Sequence, residues 1–221
     1  EWFLTATSLS TWDRMGYDPS SDNGGQQWRD VYWTFGQNLV DMTTRAEAEE
    51  RWDLLGVGQL LKAWGWLVLT DLHGEIIVKE AIDQSKFSFS YDTQEFAYSE
   101  VIRLLDSATV LLNRTDGAVD AGYLGRTDKI YNGDRTKWRK MALGLKALAL
   151  NHFSNKGSYS PSAVIAAVDQ SLASNADDPL FGYPAAQAND DRSFLGRTRN
   201  NITAYRQTRF VVGLMDGTAF G

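Results

Sequence analysis

This sequence predicts an all-α fold, an array of antiparallel helix pairs of the tetratricopeptide type with long irregular loops. Three observations carry the prediction. The four prolines stand at 19, 161, 179 and 184, so residues 20 to 160 contain none, and helices there meet neither a ring clash nor a missing N–H. Apolar residues recur at offsets of three and four along several stretches, the spacing that gathers them on one helical face. Ser, Thr, Asp and Gly stand where those stretches start and stop.

Trp28, Tyr32, Phe35, Leu39 and Met42 share one face and predict a helix over about 28 to 43. Thr44 and Glu47 have capping-box spacing and predict that a second helix starts there and runs to a stop at Gly74. Gly56, Gly58 and Gly65 lie inside it. They read as sites where a neighbouring helix comes close, or, at Gly56–Gly58, as a kink. Residues 75 to 91 have no helical period and read as an ordered loop. Asp92 and Glu95 repeat the capping-box spacing before a third helix, 93 to 112, with Tyr98, Val101, Ile102, Leu105, Ala108 and Leu112 on its face.

Turn chemistry fills the next stretch, with Gly117, Gly122, Gly125 and Gly133 among Asp116, Asp120, Asp128 and Asp134. Trp138, Met141, Ala142, Leu145, Leu148 and Ala149 then give a fourth helix, about 135 to 153. Ser160 before Pro161 is a cap followed by proline at the first helical position, opening a short fifth helix. From Asp177 the periodicity fades until a last apolar patch, Phe210 to Met215. The reading is a single domain over 1–221 with a helical core at 28–175 and an irregular segment at 176–221. Arrays of this kind bury their faces on neighbours and leave loops free for binding.

The composition narrows the function. With 22 Lys+Arg against 28 Asp+Glu the net charge is −6, which gives no electrostatic reason to bind nucleic acid or an anionic membrane. Cysteine is absent, so disulfides, thiolate nucleophiles and Cys-type zinc sites are excluded. The longest apolar run, Ala63 to Leu69, is far shorter than the roughly 20 residues that span a bilayer. No phosphate loop, nucleophile elbow or HExxH occurs.

Several blocks in order resemble a known family. An aromatic-rich loop precedes WxxxYxxFxxxL (Trp28, Tyr32, Phe35, Leu39), then RAEAE leads into the long helix with KAWGWLVLTDLHGE. YSEVIRLLDSATVLLN follows, and YNGDRTKWRKMALGLKALALNHF closes the series. This succession resembles the SusD/RagB family of outer-membrane nutrient-binding lipoproteins of the Bacteroidetes. Where the family carries Gly-Asp-Val-Pro-Leu after its long helix, this chain has His73-Gly74-Glu75-Ile76-Ile77, which keeps a turn and loses the proline.

The resemblance implies a surface-exposed, lipid-anchored protein of the outer membrane. It would capture oligosaccharides, or in some members oligopeptides, and deliver them to a SusC-like TonB-dependent transporter, with no catalysis, cofactor or metal. It also implies that this chain is a piece of a longer one. A scaffold that binds only a protein partner is the alternative from another class.

A neutral sugar requires flat aromatic faces for its C–H side and Asn, Asp or Arg for its hydroxyls. The stretch 11 to 30 supplies Trp12, Tyr17, Asp18, Asp22, Asn23 and Arg29, and the segment preceding the first helix contributes to the ligand face in the resembled family. Trp12, Tyr17, Asp18, Asn23 and Arg29 are therefore the candidate ligand-binding residues, with packing as the other reading of Trp12 and Tyr17. Trp28 reads as core by its helical period, and Trp52, Trp64 and Trp66 read as core inside a long helix. Trp33 reads as a packing residue or as part of a transporter-facing surface.

Asp18-x-Ser20-x-Asp22 has the start of a calcium loop but Asn23 and Arg29 where glycine and an acid belong; a solvated turn is preferred. His73 and His152 stand at helix ends without a His or Cys partner at metal spacing. The pairs Asp177–Asp178 and Asp190–Asp191 read as solvated loop residues rather than as opposed glycosidase acids.

Overall fold

The computed structural model describes residues 4–6, 25–182, 205–207 and 209–218. Two compact units emerge, one holding 25–181 and the other the remaining described residues. The larger unit starts with α1 (Gly25–Arg29), a π-helical turn (Asp30–Thr34) and α2 (Gly36–Ala48). The π turn closes where the Phe35 N–H donates to the Asp30 carbonyl at 2.9 Å, and Gly36 fits after it because a Cβ there would lie 2.1 Å from the Val31 carbonyl oxygen. Five further helices follow: α3 (Trp52–His73), α4 (Gln94–Leu111), α5 (Ala121–Gly125), α6 (Arg135–Asn151) and α7 (Pro161–Val168), with a 3-10 turn at Asn175–Asp177.

The boundary between α2 and α3 is not at Thr43–Thr44. Thr44 and Glu47 lie inside α2, which runs unbroken to Ala48, and the neighbouring Thr43 hydroxyl bonds back to the Leu39 carbonyl at 2.7 Å. The chain breaks at Glu50, whose φ of 53° is left-handed, and α3 starts after Arg51 without a side-chain cap. The start of α4 is also corrected. Thr93 caps it by accepting the Phe96 N–H at 3.2 Å, whereas the Asp92 carboxylate turns to the preceding loop.

Helix α2 packs on α3, α3 on α4, α4 on α6 and α6 on α7. The glycines of α3 set the first two of these contacts. A Cβ on Gly58 would lie 2.6 Å from Thr43 Cγ2, one on Gly65 2.9 Å from Phe35 Cζ, and one on Gly56 2.8 Å from Leu112 Cγ. Position 58 therefore faces the end of α2 and position 65 its start, while position 56 faces the end of α4, so each pair is antiparallel. The glycines are close-approach sites inside an unbroken helix, with no kink. Covered from both sides, α3 buries Leu60, Ala63, Trp66, Leu67 and Leu69 together, which is why it is apolar nearly all round.

The YNGDRTKW block is a corner that joins α5 to α6. Asp134 caps α6 by accepting the Thr136 and Lys137 N–H groups at 2.9 and 3.2 Å. The Asp128 carboxylate gathers the N–H groups of Ile130, Tyr131 and Gly133 and the Trp138 indole N–H, all within 2.8–3.0 Å. Gly133 has φ +87°, and a Cβ there would meet the Ala121 carbonyl at 2.4 Å. The Tyr131 hydroxyl donates to the Asp177 carbonyl at 2.7 Å.

Asp177 is not a solvated loop carboxylate. It is 7% exposed, pairs with Lys140 Nζ at 2.9 Å and accepts the Ala173 N–H at 2.9 Å. Lys140 holds its carboxyl below the usual carboxylate range. Asp178 is exposed, and Asp190–Asp191 lie outside the described residues.

In the smaller unit, β1 (Leu4–Ala6) pairs antiparallel with β2 (Tyr205–Gln207), Thr5 opposite Arg206. The last apolar patch forms α8 (Arg209–Asp216). These two short strands add a β pair to an otherwise helical fold. No helix among the described residues is long and apolar enough to cross a membrane.

Candidate functional site

The loop between α3 and α4 is held in shape from within. Ile76 and Asp92 form a bridge, with the Asp92 N–H donating to the Ile76 carbonyl at 2.7 Å. The Asp92 carboxylate accepts the Val78 and Lys79 N–H groups at 3.0 and 2.9 Å and pairs with Lys79 Nζ at 2.9 Å. Burial pushes this carboxyl up, but the Lys79 and Val78 N–H bonds and the Lys79 ammonium outweigh burial and hold it below the usual range. Further along, the Glu80 carboxylate accepts the Ser90 N–H at 2.9 Å and pairs with Lys86. Asp83 accepts the N–H and hydroxyl of Ser85 at 2.9 and 2.6 Å.

Tyr32, in the π turn, ties this loop to the helices through Ile77. The Tyr32 hydroxyl is kept protonated by burial, which pushes its pKa up. Ile82 has φ +65°. A β-branched residue rarely occupies that region, and such strain is retained where the surroundings over-determine it, often at binding sites.

Between loop and helices lies a cleft of about 340 Å³. One wall carries Trp28, Tyr32, Trp33 and Gln37, the other Ile77, Ile82, Gln84 and Phe89. The Trp28 ring is 4.8 Å from that of Tyr32, 5.9 Å from that of Tyr91 and 5.3 Å from the perpendicular His73 ring. Trp33 is 72% exposed and also borders a shallow groove past Thr34 and Asn38. The Gln37 and Gln84 carboxamides have no partner among the described residues. The cleft thus offers aromatic faces, amide donors and acceptors, and loop charges already engaged within the loop, Lys86 by Glu80 and Asp83 by Ser85, which suits a neutral hydroxylated ligand.

Of the sequence-predicted site residues, Trp12, Tyr17, Asp18 and Asn23 lie outside the described residues, as does the Asp18–Asp22 turn. Arg29 ends α1, is exposed, and donates to Gln26 Oε1; it does not line the cleft. The core reading of the tryptophans is right for Trp66, 1% exposed, and wrong for Trp64, 44% exposed and stacked on Phe35 at 6.5 Å. Trp64 falls on the side of α3 left open beside α2. Trp52 is half-buried, with Arg114 3.9 Å over its ring. Trp28 serves two roles, packing on the core and lining the cleft.

Sequence reading missed the loop wall. Its signal is the alternation Phe87-Ser88-Phe89-Ser90-Tyr91, three aromatic residues in a polar loop, with Phe87 fully exposed.

An array of antiparallel helix pairs with an exposed aromatic cleft beside one inter-helix loop is the form of a ligand-binding helical-repeat protein. The chain belongs to the SusD-like family, described as starch-binding and associating with the outer membrane, whose model matches residues 2–218. Among solved structures, a SusD/RagB family protein from Bacteroides thetaiotaomicron aligns with TM-score 0.70 and 23% identity, covering 82% of this chain and 38% of that one. A chitin-binding protein aligns with TM-score 0.76 and 21% identity, covering 98% and 46%. A chitin-binding SusD homolog from Flavobacterium johnsoniae aligns with TM-score 0.75 and 19% identity, covering 98% and 45%. These likenesses establish the fold, the helical array expected from the sequence. The chain spans less than half the length of each of these three structures. No curated protein matches it.

Proposed function

We propose that this chain is the helical-repeat part of a surface lipoprotein that captures oligosaccharides and delivers them to a SusC-like TonB-dependent transporter, as a binding protein and not an enzyme. The observation that carries the reading is Trp33, held 72% exposed beside Trp28 and Tyr32 at the mouth of a cleft. An exposed indole on a rigid helical turn is a stacking platform for the C–H face of a sugar, and the free Gln37 and Gln84 amides reach its hydroxyls. Family membership supports the glycan class. Trp12, Tyr17, Asp18, Asn23 and Arg29 are proposed as further ligand-binding residues, to be tested by alanine substitution in the same titration.

The chitin-binding relatives make N-acetylglucosamine oligomers and starch oligomers the first ligands to assay. Isothermal titration of the chain with both, and with oligopeptides of similar length, tests the reading. Saturable heat with one sugar series, reduced by Trp33→Ala, supports it. Heat with the peptides alone, or none, overturns it. Pull-down of a transporter from outer-membrane extracts tests the delivery step.

A further inference from the structure

A second pocket opens where the start of α4 meets the end of α6. It measures about 310 Å³ and is lined by Gln94, Glu95, Tyr98, His152, Phe153 and Lys156, with Ser158 at its rim. None of these residues lines the aromatic cleft. The geometry points to a second binding site, one that takes a single neutral sugar ring.

The argument starts at its floor. The Tyr98 hydroxyl bonds to Asp71 Oδ1, at the end of α3, and lies 2.7 Å from His152 Nδ1. A carboxylate only accepts, so the phenolic proton goes to Asp71. The Tyr98 oxygen must then accept from His152, which places the imidazole proton on Nδ1. Asp71 Oδ1, 3.3 Å from that nitrogen, favours the same arrangement. The ring is thereby held with Nδ1 toward Tyr98 and Asp71 and with its Nε2 edge directed away from them. Burial and Asp71 push the Tyr98 pKa up, so its hydroxyl keeps its proton through the neutral range.

The lining also carries the Glu95 carboxylate, the Lys156 ammonium and the Ser158 hydroxyl, none with a side-chain partner among the described residues. The two charges cancel, which suits a ligand without net charge that presents both donors and acceptors. The Tyr98 and Phe153 rings meet edge to face at 5.3 Å and supply an apolar wall for the C–H side of a ring. The volume lies at the lower end of small-molecule pockets, roughly 300–1,000 Å³, and holds one sugar ring. The site is independent of the oligosaccharide reading of the cleft.

The test is a titration of the ¹⁵N-labelled full chain with glucose, galactose and N-acetylglucosamine, and with glycine and alanine as zwitterions that could also bridge Glu95 and Lys156. Saturable shifts at Tyr98, His152, Phe153 and Lys156 with at least one sugar are expected. Glu95→Gln, an exposed position that leaves the fold intact, should weaken that sugar about tenfold. Tyr98→Phe should weaken it comparably and should reduce the sugar-induced change in the His152 ring-nitrogen shifts, which a tyrosine serving only the fold would leave intact. No shift at saturating sugar, shifts with the amino acids alone, or an affinity unchanged by Glu95→Gln overturns the proposal. The cleft reports separately through the indole N–H signals of Trp28 and Trp33, so failure of one reading is distinguishable from failure of the other.

Discussion

Tyr32 holds Ile77 by both of its backbone groups: the phenolic hydroxyl donates to the Ile77 carbonyl at 2.6 Å and accepts the Ile77 N–H at 2.9 Å. These residues are 45 positions apart in the chain, and their contact fixes one wall of the cleft against the other. Pre-ordering of this kind lowers the entropy lost when a ligand binds.

Tyr32→Phe removes that contact while keeping the ring. Two backbone groups of Ile77 lose their partner, which should cost about 1–3 kcal/mol in urea denaturation. Amide exchange should speed up over 77–91 more than in α4 or α6. Uniform acceleration across the chain would instead mean that the tyrosine supports the whole fold and not the loop.

Trp33→Ala separates binding from stability. The side chain is largely exposed, so the unfolding free energy should change by no more than an exposed substitution allows, about 0.5 kcal/mol. The affinity for the best oligosaccharide should fall roughly tenfold, about 1.4 kcal/mol. Calorimetry and a thermal melt on the same sample check both halves.

The helix glycines make a prediction of opposite sign within one fold. Gly58→Ala drives a methyl to 2.6 Å from Thr43 Cγ2 and should destabilise by about 1–3 kcal/mol, against the helix preference for alanine. Gly144 in α6 has Ser171 Cβ at an ordinary 3.7 Å. Gly144→Ala should therefore stabilise by about 0.5–1 kcal/mol. Chemical denaturation of the two variants decides.

Acid should loosen the two loop anchors first. Burial pushes the Asp128 carboxyl up, but the bonds from Tyr131, Gly133, Trp138 and Ile130 outweigh it, so the net shift is downward, as for Asp92. A carboxyl whose folded pKa lies below its unfolded value of about 3.9 contributes full stability above that value. The contribution is lost as pH falls through the folded pKa. Stability should thus decline below about pH 4, and Asp128→Asn should flatten the decline while lowering stability at pH 7 by about 1.5–3 kcal/mol. A pH series of urea midpoints for both proteins measures it.

Several elements were legible because their signals are local. Ser160 before Pro161 accepts the N–H of Ala163, three residues on, so the spacing itself marks the start of α7. The apolar faces of α4 and α6 follow from the helical period alone. The glycines of α3 were legible for a related reason, since a helix tolerates three of them only in exchange for contact. The same local logic failed at Thr44–Glu47 and Asp92–Glu95. Both have capping-box spacing, yet Thr44 and Glu47 lie inside α2 and Asp92 binds loop N–H groups 13 and 14 residues upstream.

The tryptophans show the same division. Period placed Trp64 and Trp66 alike in a long helix, but which face a neighbour covers is decided by packing, and α2 leaves Trp64 exposed. Trp28 and Trp33 line the cleft only because the loop from 75 to 91 folds back across them.

The sequence by itself determined an all-helical array, its third and fourth helices to within about two residues, and through its ordered motifs the family to which it belongs. Hydrogen bonds that close within one turn and faces that repeat every three or four residues have a fixed spacing, and spacing is what a sequence displays. Only the tertiary structure decided where the cleft lies, which aromatics remain open to solvent, and that Asp92, Asp128 and Asp177 are structural anchors. Those outcomes depend on partners far along the chain, such as Ile77 for Tyr32 and Lys140 for Asp177, and no local spacing encodes them.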